Sequence, residues 1–271
     1  MTVSQALPVL HADQWLAVVD KPAGLMVHDS ALARGETDFA ADRLRAQFGK
    51  PIFLVHRLDR ATSGCLLLAF DRDTASSLGK MMMAREVGQA DIENPAFDDA
   101  TSDEAGLDKP AFDKDYWAVC RGWPDDEVLV DHDLDGGPGK PLKKPAVTRF
   151  TRLATTELAL PSAGFDTSRY ALLCAQPQTG RFRQIRRHLK HLSHHLIGDS
   201  SHGDGRHNRA FRRLGIHRML LHARRLGFVH PVSGERINVH APVDAEFAKA
   251  LALFEGFDAT TPAPMARPVT A

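Results

Sequence analysis

The 271-residue chain has only three cysteines and two tyrosines, and it carries no formal net charge. Cys65, Cys120 and Cys174 are odd in number and widely separated, and the first two lie in apolar stretches. This pattern favours buried, reduced thiols over a disulfide framework or a metal site. A chain of this length can bury a core without crosslinks.

Long hydrophobic runs are missing as well. Residues 61–70, the longest charge-free apolar stretch near the middle of the chain, are half as long as a membrane-spanning helix. The N-terminus lacks the basic start and the continuous apolar run of a signal peptide. We therefore expect a cytoplasmic protein.

Several motifs that announce nucleotide, metal or hydrolase chemistry are also absent. Residues 136–140 (GGPGK) resemble a phosphate-binding loop, but the spacing is wrong and no Ser or Thr follows the lysine. No Gly-x-Ser-x-Gly elbow occurs. His188, His191, His194 and His195 have helical spacing without a carboxylate or cysteine close in sequence, so we interpret them as surface and capping histidines rather than metal ligands.

The zero net charge hides two blocks of opposite sign. Residues 89–113 contain eight acidic residues and one lysine, a local charge of −7. Residues 181–225 contain twelve Lys and Arg against two Asp, a local charge of +10, together with eight of the fourteen histidines. Without residues 89–113 the chain has 33 basic and 26 acidic residues, a net charge of +7. Because local fields steer partners, the neutral total does not exclude a polyanionic partner.

Hydrophobic patterning predicts one domain over residues 1–258, an acidic surface insertion at 89–113 and a disordered tail at 259–271. We expect helices at 37–48, 73–85 and 182–196. We expect two strands within 15–28 and others at 52–55, 64–70, 116–120, 146–153, 169–175, 219–226 and 236–240.

Asp59, in the segment HRLDRATSG (residues 56–64), is the strongest catalytic candidate. It lies between Arg57 and Arg60, directly before a strand that we expect to be buried. A carboxylate held among guanidiniums at such a place stays ionised and fixed, as a nucleophile must be. The alternative is a surface ion pair of little energetic value. The residue types alone leave both interpretations open.

HRLDRATSG resembles the central motif, H-R-L-D-x-x-T-S-G, of the RluA family of pseudouridine synthases. Three more segments resemble family motifs in the same order: residues 20–28 (DKPAGLMVH), 114–122 (KDYWAVCRG) and 179–189 (TGRFRQIRRHL). The similarity extends from Val9 to Phe257. It implies an α+β fold with a mixed, mostly antiparallel sheet flanked by helices and an active-site cleft across the sheet. It also implies an isomerase that converts uridine in RNA to pseudouridine without a cofactor.

Residues 198–235, together with 144–148 (KPAVT), resemble a branch of the family that modifies uridine 65 in the T-arm region of tRNA. The expected substrate is therefore tRNA, and the protein is expected to act as a monomer without a metal. Two alternatives remain open, which are an rRNA-specific enzyme of the same family and a catalytically silent RNA-binding protein.

The resemblance also implies roles for individual residues. Asp59 is the catalytic carboxylate, and Arg186 forms a bidentate pair that keeps it ionised. Tyr116 stacks on the target base, Ile185 packs on the uracil, and Arg57 fills the space that a flipped uridine leaves. The basic residues expected to bind RNA phosphates are Arg60, Arg181, Arg183, Arg187, Lys190, Arg206 and Arg209. The alternatives are a phosphate contact for Arg186, core packing for Tyr116 and Ile185, and a salt bridge for Arg57.

Two features depart from the family pattern. Arg183 stands where the family has the histidine of T-G-R-x-H-Q, so the role of that histidine is not transferred. Residues 89–113 have no counterpart in the pattern, and we interpret them as a tolerated surface loop. An alternative is a loop near the cleft that repels non-cognate RNA.

Overall fold

A computed structural model describes residues 5–29, 33, 35–87, 111–162 and 164–258 of the chain. The expected disordered tail at 259–271 and most of the acidic segment lie outside these residues. Twelve strands and five helices are found in the described part. The strands are β1 (Val9–Ala12), β2 (Leu16–Lys21), β3 (Phe53–Leu54), β4 (Ser63–Ala69), β5 (Phe112–Arg121), β6 (Glu127–Asp131), β7 (Leu134–Asp135), β8 (Lys143–Lys144), β9 (Val147–Leu158), β10 (Ser168–Pro177), β11 (Leu221–Val229) and β12 (Arg236–His240). The helices are α1 (Ala40–Phe48), α2 (Arg72–Val87), α3 (Gln184–His191), α4 (Gly205–Arg213) and α5 (Ala245–Leu251).

A ten-stranded sheet in the order β1-β2-β4-β11-β5-β10-β9-β6 forms the centre, with β3 added to β4 and β12 added to β11. Strands β4 and β11 run parallel, and the other pairings described for this sheet are antiparallel. Strands β7 and β8 form a separate two-stranded sheet. The architecture confirms the expected α+β class and the mostly antiparallel sheet.

The parallel contact between β4 and β11 explains the glycine of HRLDRATSG. Gly64 faces Ala223 across this contact and has φ = 107°. A Cβ atom at Gly64 would lie 2.3 Å from the carbonyl oxygen of Ala223, closer than any side chain tolerates. The glycine therefore lets β11 approach the first residues of β4, directly after the loop that carries Asp59.

Strand β4 is buried at every position, as its continuous apolar run predicts. Strand β5 begins at Phe112, four residues earlier than expected, so two residues counted with the acidic segment belong to the sheet. Asp113 is 7% exposed and forms ion pairs with Arg225 of β11 and Arg236 of β12.

All three cysteines are free and buried. No helix in the described part of the chain is long and apolar enough to cross a membrane.

The expected helix at 182–196 was too long, because α3 covers only Gln184–His191. Arg183 and Ser193 bound it with positive φ angles of 52° and 61°, which a continuing helix does not accommodate. Ile185 and Leu189 pack in the core as their spacing predicts. Leu196 lies beyond the helix and bridges to Cys120.

Two further differences concern short elements. Of the two strands expected within residues 15–28, only β2 forms, and Met26 makes an isolated bridge to Phe39 instead of a second strand. Helices α4 and α5 were not predicted. Each begins at an aspartate, Asp204 or Asp244, whose side chain accepts a backbone N–H of the first turn.

Candidate active site

Asp59 lies in the loop between β3 and β4, and buried neighbours hold this loop in place. The N–H of Thr62 donates to the carbonyl oxygen of Asp59 over 3.0 Å. The ammonium group of Lys21, which is fully buried, donates to the carbonyl oxygens of Pro22, Leu25 and Arg60. Burial lowers the pKa of Lys21 to about 7. One side chain thus ties the turn of the first motif to the loop of the central motif.

Ser63, the first residue of β4, is fixed by a second buried group of side chains. Its hydroxyl lies 2.7 Å from Nδ1 of His222, and Arg218 donates to the same hydroxyl over 2.8 Å. The other ring nitrogen of His222 lies 3.2 Å from the carbonyl oxygen of Ala241. This nitrogen therefore carries the hydrogen, and Nδ1 accepts from Ser63. These contacts lock the end of the Asp59 loop against β11.

Arg186 of α3 lies between two carboxylates. Its Nη1 is 2.6 Å from Oδ2 of Asp59. Its Nε and Nη2 are 2.6 and 2.8 Å from the two oxygens of Asp199. The expected bidentate pair with Asp59 was therefore wrong, because the fork of the guanidinium is occupied by Asp199 and Asp59 receives a single bond.

The charges around Arg186 stabilise one another. Burial alone would lower the pKa of Arg186, but the two carboxylates outweigh it and hold the pKa above its ordinary value. Burial alone would raise the pKa of Asp199, but Arg186 and the N–H groups of Ser201 and His202 hold it below the usual range. A fixed cation therefore stands beside Asp59.

Eight of the residues singled out from the sequence line one open cleft: Arg57, Asp59, Arg60, Tyr116, Arg181, Arg183, Ile185 and Arg186. Tyr116 of β5 and Ile185 of α3 are 9% and 6% exposed, so each presents only a narrow face to the cleft. Arg57 is exposed. These eight residues combine one carboxylate, two apolar surfaces and several cations, and Asp244 and Glu246 add two more carboxylates to the lining of the cleft.

Four predicted RNA-binding residues do not line the cleft, namely Arg187, Lys190, Arg206 and Arg209. Arg187 forms an ion pair of 2.7 Å with Asp135 and attaches the β7–β8 hairpin to α3. The other three are exposed on α3 and α4. Sequence reasoning missed three basic residues that do line the cleft, Lys114, Arg212 and Arg218. Lys114 is the first residue of the motif at residues 114–122, and this position could have indicated it as a site residue.

Arg183, which departs from the family pattern, occupies a special backbone position. It is the residue preceding α3, with a left-handed backbone, and its guanidinium lies 4.8 Å from the ring centre of Phe182. Few residues other than glycine adopt this backbone. The stacking holds the arginine at the edge of the cleft.

The histidines that resembled a metal site are engaged with protein groups. The expectation of surface and capping histidines was wrong for His188, which is fully buried and contacts the hydroxyl of Thr148 and a backbone carbonyl oxygen. His194 and His195 each contact a carbonyl oxygen. Within the described residues no group of three or more His, Cys, Asp or Glu side chains is arranged to hold a metal ion.

Buried histidines predict a loss of stability in acid. Burial lowers the pKa of both His188 and His222 to about 4 and that of His56 to about 3, whereas an unfolded histidine titrates near 6.5. Between these values the unfolded chain binds more protons, so the free energy of unfolding falls as the pH falls below about 6.5. Asp20, whose pKa is raised by burial to about 6, offsets part of this loss. We expect the free energy of unfolding from urea titrations to be about 4 kcal/mol lower at pH 5 than at pH 7. An equal value at both pH values would contradict the buried, neutral state of these rings.

Comparison with known proteins identifies the family. The family model described as RNA pseudouridylate synthase matches residues 15–90 and 96–191, so that part of the acidic segment falls within the matched ranges. The chain is 36% identical to a protein named tRNA pseudouridine synthase C from Vibrio parahaemolyticus, over 92% of this chain and 95% of the relative. It is 37% identical to a protein of the same name from Salmonella typhimurium, over 92% of this chain and 90% of the relative.

Solved structures agree in fold. Human RNA Pseudouridylate Synthase Domain Containing 4 is similar with a TM-score of 0.63 and 23% identity, over 91% of this chain and 92% of that one. Human RNA Pseudouridylate Synthase Domain Containing 1 is similar with a TM-score of 0.60 and 21% identity, over 97% and 98% of the two chains. At this level of identity the solved structures show the fold alone, whereas the family model and the sequence relatives show the family. The chain belongs to the RNA pseudouridylate synthase family.

Proposed function

We propose that this protein is a tRNA pseudouridine synthase that isomerises uridine 65, with Asp59 as the essential carboxylate. The names of the related proteins support tRNA as the substrate class. The observation that carries the proposal is the contact of 2.6 Å between Asp59 and Arg186 in a cleft lined by cations. This arrangement provides an oriented carboxylate at a surface that attracts a polyanion.

The chemistry needs one such group. The N1–C1′ bond of the uridine breaks, the uracil rotates while it is held, and C5 joins C1′. The proton on C5 then leaves and N1 takes up a proton, so substrate and product are isomers and no electrons enter or leave. The carboxylate of Asp59 can serve in one of three ways: by attack at C1′, by addition to C6 of the uracil, or by removal of the proton at C2′.

The target uridine must leave its base stack before these atoms can be reached. We assign the two apolar faces of the cleft to the extruded base, with Tyr116 stacking on it and Ile185 packing against its edge. We assign Arg57, which is exposed on the same loop as Asp59, to the space that the base leaves. The narrow exposed faces of Tyr116 and Ile185 suit a flat ring.

Exposed basic side chains on α3 and α4 extend the positive surface beyond the cleft. Lys190 of α3 and Arg206 and Arg209 of α4 are exposed. Arg212, also on α4, lines the cleft. We assign these residues to phosphates of the tRNA outside the target nucleotide. Such contacts predict an affinity that falls steeply with salt concentration.

We also propose that the enzyme acts as a monomer in the cytoplasm. All residues of the site lie on one chain, which supports action as a monomer. Three buried, reduced cysteines and a tRNA substrate support a cytoplasmic location.

Mapping pseudouridines in a strain that lacks this gene tests the substrate. We expect the loss of one pseudouridine, at position 65 of certain tRNAs, with all rRNA pseudouridines retained. A loss in rRNA instead would replace the proposal by the rRNA-specific alternative. Retention of every site would favour an RNA-binding protein without catalytic activity.

A further inference from the structure

Asp199 is a buried carboxylate directly behind the cleft. Its side chain has no exposed surface, and the residue is not among those that line the cleft. Both of its oxygens accept hydrogen bonds from Arg186, and Oδ1 also accepts the N–H groups of Ser201 and His202 over 2.8 and 3.0 Å. A carboxylate with this number of donors has a single, fixed orientation.

Asn208 of α4 fixes the backbone of Asp199. Its amide nitrogen donates to the carbonyl oxygen of Asp199 over 2.9 Å, and its amide oxygen accepts the N–H of Gly198 over 2.7 Å. Asn208 is 7% exposed, so these bonds are shielded from water. The position of Asp199 is therefore set from α4, independently of the Asp59 loop.

Arg186 carries one positive charge and is shared by two carboxylates. Asp199 takes its Nε and Nη2, which leaves Nη1 for one oxygen of Asp59. The side chain of Asp59 remains 29% exposed. A guanidinium free of Asp199 could rotate and bind both oxygens of Asp59, which would hold the carboxylate more tightly and cover it.

We propose that Asp199 is a positioning residue for the isomerisation: it fixes Arg186 so that only one oxygen of Asp59 is bound and the other stays available to the uridine. The inference depends on the proposed role of Asp59. It adds that the reactivity of Asp59 is set by a carboxylate 140 residues away in sequence, which balances the charge of Arg186.

Charges of both signs surround Asp59. Arg186 approaches from α3, Lys21 from β2, and Arg57 and Arg60 flank Asp59 on its own loop. Lys114 of β5 and Arg218, which precedes β11, line the same cleft, and so do the acidic residues Asp244 and Glu246. Asp199 is the second carboxylate on Arg186, so its removal frees Nε and Nη2 of Arg186 to bind Asp59.

Asp199→Asn tests the proposal, because the amide keeps the size of the side chain and removes the charge. In single-turnover reactions with saturating protein we expect the rate to fall at least tenfold, because Arg186 can then cover both oxygens of Asp59. The Kd for tRNA should stay unchanged, whereas general structural damage would weaken binding as well. An unchanged rate, or a slower rate that weaker tRNA binding accounts for, would overturn the proposal.

Arg225 offers a matched control, since it also lies between two carboxylates, Asp113 and Asp115. Asp113→Asn should lower the free energy of unfolding and leave the single-turnover rate unchanged. If Asp199→Asn does not fold, Asn208→Ala keeps every charge and loosens Asp199. It should then slow the single-turnover step while tRNA still binds, and an unchanged rate would overturn the proposal.

Two readouts separate this inference from the proposed function. Activity of Asp59→Asn would refute the role of Asp59 itself. A structure of Asp199→Asn without RNA tests Asp199 alone. Arg186 should bind both oxygens of Asp59 in this variant, and a single Nη1 contact as in the parent protein would overturn the inference.

Discussion

Asp59→Asn should reduce the rate of pseudouridine formation by at least about 1,000-fold, because an amide can neither attack carbon nor accept a proton as a carboxylate does. The amide oxygen can still accept the hydrogen bond from Arg186, so the loop should keep its conformation. The Kd for tRNA should change by less than about threefold, since phosphate contacts elsewhere supply most of the affinity.

The measurement is a single-turnover assay on tRNA beside a binding titration with the same variant. Asp42→Asn is a matched control, because Asp42 is an exposed acid on α1 whose partner is the exposed Arg45. It should retain full activity. Asp59→Asn with a rate close to that of the parent protein would remove Asp59 from the mechanism.

Arg186→Met should lower the free energy of unfolding by about 3–5 kcal/mol, because it leaves the buried carboxylate of Asp199 without its cation. The same change should abolish activity, because Asp59 loses the guanidinium group that binds it. Urea unfolding at pH 7 measures the first effect. Arg187→Met, at the next position of α3, removes a partly exposed ion pair with Asp135 and should lower the free energy of unfolding far less.

A double variant separates stability from catalysis. Combining Arg186→Met with Asp199→Leu replaces both buried charges by apolar groups, which should recover much of the lost stability without restoring activity. A single variant Arg186→Met as stable as the parent protein would contradict the buried pair. Activity in the double variant would contradict the role of Arg186.

The sequence predicted the elements whose patterns are local. The apolar run of β4 is buried throughout, and the motif loop before it carries Asp59 into the cleft. Helix α4 escaped prediction because its sequence, GRHNRAFRR, is almost wholly polar and Phe211 is its one large apolar residue in the core. The end of α3 at His191 was also not predicted, because the helical spacing of apolar residues continues past Ser193, where the φ angle is positive.

The site could be predicted as a set of residues but not as a geometry. Asp199 follows Arg186 by 13 residues across a turn, and no periodicity indicates that the two side chains meet. The basic block was overestimated for a similar reason. Arg186, Arg187, Arg218 and Arg225 pair with carboxylates of this chain, so their charge is largely compensated inside the fold. The positive surface available to RNA therefore comes from the other, exposed Lys and Arg side chains of the block.

One reaction tests the central proposal most directly. Purified protein is incubated with total tRNA from a strain that lacks the gene, and pseudouridine is then mapped at single-nucleotide resolution. We expect new pseudouridine at position 65 of certain tRNAs, formed without added cofactor and absent when Asp59→Asn replaces the parent protein. Folded parent protein that forms no pseudouridine in any tRNA would contradict the proposed function.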